Sequence, residues 1–144
     1  MSTFPMVCEE QLPLFGLSGS CTLFETNPDT PTNIIRTNEA WGVVFKWTTS
    51  GPYNHLMAGH WHLDCFLEKW GPGEAGALPG TTVAFVSAPH SYSETLTFPA
   101  VGNAKEGSYK ISTRLKLHGP LSVPGPVICM AEGPMIDFYI AAFP

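Results

Sequence analysis

Charged residues are scarce in this sequence. They make up 13% of the chain, about half of the ~25% that is usual for globular proteins. The net charge is −5, and the basic residues are scattered without forming a run. A protein that binds a phosphate backbone presents clustered Lys and Arg side chains. We therefore expect no nucleic-acid partner.

Long apolar runs are also missing. No stretch approaches the ~20 apolar residues needed to cross a bilayer, and residues 1–19 contain neither a basic leader nor an unbroken apolar segment. We therefore expect no membrane insertion and predict a cytoplasmic location. Because the reducing cytoplasm keeps thiols free, the four cysteines are predicted to be free thiols: Cys8, Cys21, Cys65 and Cys129.

Turn-forming residues and period-two alternation dominate what is present. Glycine and proline each occur 14 times, which disfavours long helices and favours short strands joined by turns. Alternation of apolar and polar residues, the mark of a strand, is clearest over residues 107–119. Further strands are predicted over residues 20–26, 33–37, 41–48, 56–69, 81–88 and 91–98, and residues 127–133 and 134–142 are predicted to form a pair joined by a turn at "EGP".

This tally of eight or nine strands without an amphipathic helix predicts an all-β fold, an antiparallel β-sandwich. We expect a single domain over residues 1–144, with residues 1–18 as an N-terminal extension or edge segment. The stretch "LTFPAVGNAKEGSYKISTRLKL" resembles immunoglobulin-like and fibronectin-III-like domains. The resemblance implies that Tyr109 is a structural corner tyrosine bonded to the upstream backbone, and that Trp41 or Trp47 is the buried tryptophan. It concerns architecture over about residues 19–142, because the antibody Cys-Trp-Cys spacing is missing.

Two histidines raise the question of a metal site. His60 and His62 stand two apart on a predicted strand, so their rings project from the same face and are able to share one ion. A zinc site needs a third ligand, for which the candidates are His55, His90, His118 and Asp64. The alternative interpretation is a polar outer strand face. The sequence thus leaves open a metal-binding, zinc-dependent protein.

No catalytic set is evident, and we predict that the chain is not an enzyme and needs no cofactor. Cys65 falls on the apolar side of its strand, where a thiol is inert, and "LSGSC" lacks a nucleophile elbow. A second alternative is a carbohydrate or small-ligand binding module using Trp70 and the loop over residues 71–80.

Low charge combined with apolar ends favours self-association or contact with another protein. The leading hypothesis is therefore a non-enzymatic interaction or structural protein that forms a homo-oligomer or larger assembly, with the N-terminal segment and the C-terminal strand at the contact. The residues predicted to form the interface are Phe66, Phe138, Tyr139, Ile140 and Phe143.

Overall fold

The computed structural model is composed almost entirely of β-strands. It describes residues 2–10, 12–25, 34–37, 39–69, 76–98, 106–119 and 124–139. In these ranges the strands are β1 (Ser2–Pro5), β2 (Val7–Glu10), β3 (Gly16–Glu25), β4 (Ile34–Arg36), β5 (Trp41–Ser50), β6 (His60–Lys69), β7 (Gly76–Ala77), β8 (Thr81–Ala84), β9 (Ser91–Phe98), β10 (Gly107–His118) and β11 (Pro124–Tyr139). A short 3-10 helix (Pro52–Leu56) lies between β5 and β6. No helix of the described ranges is long and apolar enough to cross a membrane.

The strands form two sheets that enclose one layer of side chains. The four-stranded sheet has the order β1-β3-β5-β9, and the seven-stranded sheet has the order β2-β11-β10-β6-β7, with β8 also paired to β6 and β4 paired to β11. All of these pairings are antiparallel except that of β4 with β11. The fold is a β-sandwich, as predicted.

Alternation along the strands decides which side chains enter the core. In β10, Ile111, Thr113 and Leu115 are fully buried while the residues between them are partly exposed, as expected for a sheet with one solvated face. Both Trp41 and Trp47 are buried on β5, so each fits the buried tryptophan that the resemblance implies. The core therefore follows from the period-two pattern.

The N-terminal segment joins both sheets. β1 pairs with β3 in the four-stranded sheet, and β2 pairs with β11 in the seven-stranded sheet. Between them, the Met6 N–H donates to the Gly19 carbonyl. Residues 2–5 and 7–10 of the segment predicted as an extension or edge segment thus form edge strands, one on each sheet. These strands and the two-residue β7 raise the number of strands in the described ranges to eleven, above the predicted eight or nine.

The predicted turn at "EGP" is wrong. β11 runs unbroken from Pro124 to Tyr139. The register shifts between Lys110, opposite Met135, and Ser112, opposite Glu132, so two residues of β11 oppose one residue of β10. This is a β-bulge, which accommodates Gly-Pro without ending the strand.

The prediction of four free thiols is also wrong. Cys8 on β2 and Cys129 on β11 are register partners joined by a disulfide. The prediction of free thiols followed from the expected cytoplasmic location. The two residues are 121 positions apart in the sequence, and the pairing of β2 with β11 brings them together. Cys21 and Cys65 are free and buried.

Candidate functional site

The predicted histidine pair lies on the outer face of the seven-stranded sheet. On β6, Trp61 and Leu63 point into the core, which leaves His60 exposed and His62 half-buried on the opposite side. β10 is antiparallel to β6, and its register places His118 opposite His60 and Lys116 opposite His62. Four basic or titratable side chains therefore meet where β6 begins and β10 ends.

His62 and His118 stack rather than converge on a common point. Their ring centroids are 3.7 Å apart and their planes are inclined by 23°. The pKa of His62 is lowered from 6.5, first by burial and then by the neighbouring His118, because both effects disfavour a positive charge on the His62 ring. Stacked imidazoles present their faces to each other, whereas a metal ion is bound in the ring plane by a nitrogen.

The other proposed ligands do not complete a metal site with His60 and His62. Asp64 accepts two hydrogen bonds from Arg114, from Nε at 3.2 Å and from Nη2 at 2.9 Å. His55 is on the 3-10 helix, and the His90 ring packs edge-on against Tyr92. Over the described ranges, no group of three or more His, Cys, Asp or Glu residues is able to hold a metal ion. The structure thus pairs His62 with His118 but supplies no ligand set around His60 and His62.

Phe66 lies beside the Asp64–Arg114 pair. It is half-buried on the outer face of β6, and the Arg114 guanidinium carbon is 5.1 Å from the centre of its ring. This distance is within the range of a cation–π contact. Phe66 therefore places an aromatic ring, with the Arg114 guanidinium over it, on the outer face of the seven-stranded sheet.

An apolar patch adjoins this arginine. Val7 on β2 and Met130 on β11 are register partners and are 75% and 51% exposed. Ile128, two residues before Met130, is half-buried on the same face. Met130 is in turn opposite Arg114 on β10. We call Val7, Ile128 and Met130 the β2–β11 patch.

None of the three residues of this patch was among the predicted interface residues. The signal lay in the alternation of "VICMA", where Val127, Cys129 and Ala131 are buried and the residues between them point outward. Without the pairing of β2 with β11, nothing in the sequence placed Val7 beside Met130.

The other predicted interface residues have different positions. Phe138 is only 3% exposed and packs in the core against Trp41 and Tyr109, at centroid distances of 5.4 Å in both cases. Its ring is therefore not available to a partner in the isolated chain. Tyr139 is half-buried at the end of β11. Ile140 and Phe143 lie outside the described residues.

Two further predictions concern Tyr109 and the loop over residues 71–80. Tyr109 is buried on β10, as a corner tyrosine should be, and its bond to the upstream backbone stays a prediction. Trp70 and most of the loop over residues 71–80 lie outside the described residues, as does any binding site they form.

No family model and no curated protein matches this sequence. Among solved structures, the chain is similar to the CARDB domain of the PF1109 protein from Pyrococcus furiosus, which was crystallised in complex with di-metal ions. The two chains are 9% identical, the match covers 91% of this chain and 94% of that domain, and the TM-score is 0.46. This likeness concerns the β-sandwich fold, and neither the metal ions nor any other property of that domain is transferred to this chain.

Proposed function

We propose that this chain is a non-enzymatic β-sandwich module that self-associates through the outer face of its seven-stranded sheet. The observation that carries the proposal is the β2–β11 patch, where Val7 and Met130 lie side by side and mostly exposed. Exposed apolar side chains that cluster on a sheet face are typical of interaction surfaces. The patch joins the N-terminal segment to the C-terminal strand, the two regions expected at the contact.

The surroundings of the patch have the composition of an interface. The centres of protein interfaces are enriched in Met, Arg and aromatic residues, and Met130, Arg114 and Phe66 follow one another across β11, β10 and β6. Asp64 satisfies Arg114, so the guanidinium does not need a partner's carboxylate. An association of this face with its copy about a two-fold axis therefore brings the apolar groups of the two patches together.

The edges of the four-stranded sheet are less suited to association by strand addition. β1 is short and carries Pro5, and β9 carries Glu94 on the side of the strand that otherwise points into the core. Proline and inward-pointing charges are devices that protect edge strands from pairing with another chain. Contact through a face is therefore favoured over contact through these edges.

The chemistry of the described residues also supports a role other than catalysis. Burial raises the pKa of the Cys21 thiol to about 12 and raises that of Cys65 further, so neither is an activated nucleophile. Asp64 is bound to Arg114. The absence of enzymatic activity remains part of the proposal.

The disulfide bears on where such a module works. Disulfides persist in oxidising compartments and are rare in the cytoplasm, and Cys8 and Cys129 form one. The disulfide therefore argues against the predicted cytoplasmic location, which is not part of the proposed function.

Sedimentation velocity over a broad concentration range tests self-association. We expect a reversible oligomer in the wild type, and a dissociation constant raised at least about tenfold, or 1.4 kcal/mol, by Met130→Glu. Position 130 is 51% exposed, so the new carboxylate is solvated in the monomer and the fold is retained. The matched control is Leu56→Glu, which changes an 80% exposed side chain on the 3-10 helix. A strict monomer, or an equal effect of both variants, contradicts the proposal.

A further inference from the structure

The outer face of the four-stranded sheet is unlike the face that carries the β2–β11 patch. Serine and threonine fill most of its outward positions: Thr3 on β1; Ser18, Ser20 and Thr22 on β3; Thr48 and Ser50 on β5; and Ser91, Ser93, Thr95 and Thr97 on β9. We call these residues the hydroxyl face. Some of the hydroxyls bond to one another across strands, as Thr3 does with Thr22 at 3.0 Å and Thr48 with Ser91 at 3.3 Å.

Lys46 lies at the centre of the hydroxyl face. It is exposed on β5, and its register partners are Ser20 on β3 and Ser93 on β9. It is the one ionisable side chain at the outward positions of the described strands of this sheet, and none of the described acidic residues forms an ion pair with it. In a chain of net charge −5, the described outward positions of this surface therefore present an unneutralised cation and no carboxylate.

The surface around Lys46 contains a shallow depression. An open depression of about 520 Å³ is lined by residues of β3, β5 and β9, among them Ser18, Ser20, Thr48 and Ser91. Neighbouring strands are about 4.8 Å apart and alternate residues about 7 Å apart. Side chains with hydroxyl groups, each able to donate and accept a hydrogen bond, thus surround position 46 in a regular array.

This composition excludes several kinds of partner. Protein interfaces are depleted in Lys and Ser at their centres, and a nucleic acid or an anionic membrane surface requires several clustered cations. A neutral sugar is commonly held by stacking on an aromatic ring, and the outward positions next to Lys46 carry none. What fits is a ligand rich in hydroxyl groups that carries isolated negative charges.

We propose that the hydroxyl face binds a carboxylate-bearing polysaccharide, with Lys46 pairing with one carboxylate and the surrounding Ser and Thr side chains bonding to the sugar hydroxyls. The ammonium group supplies a charge-assisted hydrogen bond, and the hydroxyls supply many weak bonds that a polymer is able to use together. This site is on the opposite sheet from the β2–β11 patch and does not depend on self-association.

An NMR titration of the 15N-labelled chain tests the proposal, with hyaluronan oligosaccharides as the probe and neutral dextran oligosaccharides as the reference. Hyaluronan is expected to shift amide signals on β3, β5 and β9. Lys46→Gln should weaken this binding about tenfold, and Thr48→Val, which removes only a hydroxyl, should weaken it to a smaller extent. The matched control is Lys110→Gln on β10, which removes the same charge from the other sheet, where Lys110 pairs with Glu132 at 3.0 Å.

Several outcomes overturn the proposal. Absence of hyaluronan binding does so, as does equal binding of dextran, because the carboxylate then has no role. So does equal affinity of the wild type and the Lys46→Gln variant when the spectrum shows that the variant is folded. Shifts confined to β6 and β10 would instead place the anion beside His60, His62 and Lys116, which also contradicts the proposed site. The Met130→Glu variant should retain hyaluronan binding whatever its oligomeric state, which separates this test from that of the proposed function.

Discussion

His62 shows how burial and neighbouring groups together determine the chemistry of a surface side chain. It is half-buried on β6 and stacked on His118 of β10, with Lys116 opposite and His60 two residues away. Burial opposes protonation of His62 most strongly, each of these three groups also opposes it, and Asp64 favours it. The opposing effects prevail, so the pKa of His62 lies below 6.5.

Replacing His118 should therefore move the pKa of His62 upward. In His118→Gln, the stacked ring and its charge are removed, and we expect the His62 pKa to rise towards 6.5. An NMR pH titration of the imidazole signals measures this directly. His55→Gln, which changes an exposed histidine on the 3-10 helix, should leave the His62 pKa unchanged. A His62 pKa at or above 6.5 in the wild type would contradict the stacking geometry.

The same shift has a consequence for stability. Because the folded pKa of His62 lies below the unfolded one, the unfolded chain binds more protons between the two values, and the free energy of unfolding decreases as the pH falls through about 6.5. This dependence should be weaker in His118→Gln than in the wild type.

At the scale of elements, β2 is held on β11 by a four-residue register and by the Cys8–Cys129 disulfide. A short edge strand contributes few hydrogen bonds, so the covalent link supplies much of its attachment. The link also closes a loop of more than a hundred residues between its ends, and a cross-link over a long loop restricts the unfolded chain most.

Removing the disulfide should lower the free energy of unfolding by about 2–4 kcal/mol. Urea unfolding of the oxidised protein, the reduced protein and the Cys8→Ala/Cys129→Ala double variant measures the effect, and reductant should not change the stability of the double variant. Thiol titration provides an independent check. The buried Cys21 and Cys65 should react in urea and not in the native state. Four reactive thiols in urea without reductant would show that the disulfide does not form.

The elements also show what sequence patterns can and cannot determine. Alternation predicted β5, β9 and β10 at nearly their observed bounds, since a strand with one buried face must alternate. It did not predict that β11 continues through Gly133 and Pro134, because a bulge depends on the partner strand and not on the local sequence. The disulfide and the β2–β11 patch were missed for the same reason, because both require knowing which strands are neighbours. The histidine pair was correctly placed on one strand face, but its stacking partner comes from β10.

At the scale of the whole molecule, aromatic rings join the two sheets. Trp61 of the seven-stranded sheet meets Trp47 and Tyr92 of the four-stranded sheet, with centroids 5.9 Å apart in both cases, and is fully buried. The Trp61 indole Nε1 has no hydrogen-bond partner among the described residues. Its contribution to stability should therefore come from packing, not from a hydrogen bond.

This distinction leads to different expectations for two substitutions of Trp61. Trp61→Ala removes the ring and should lower the free energy of unfolding by about 3–5 kcal/mol, whereas Trp61→Phe keeps a ring and loses no hydrogen bond, so about 1–2 kcal/mol is expected. Leu56→Ala, at an 80% exposed position, should change stability by less than about 0.5 kcal/mol. Urea unfolding of the three variants measures the differences. If Trp61→Phe were as destabilising as Trp61→Ala, the indole N–H would have to be bonded, and packing of the rings would not be what joins the sheets.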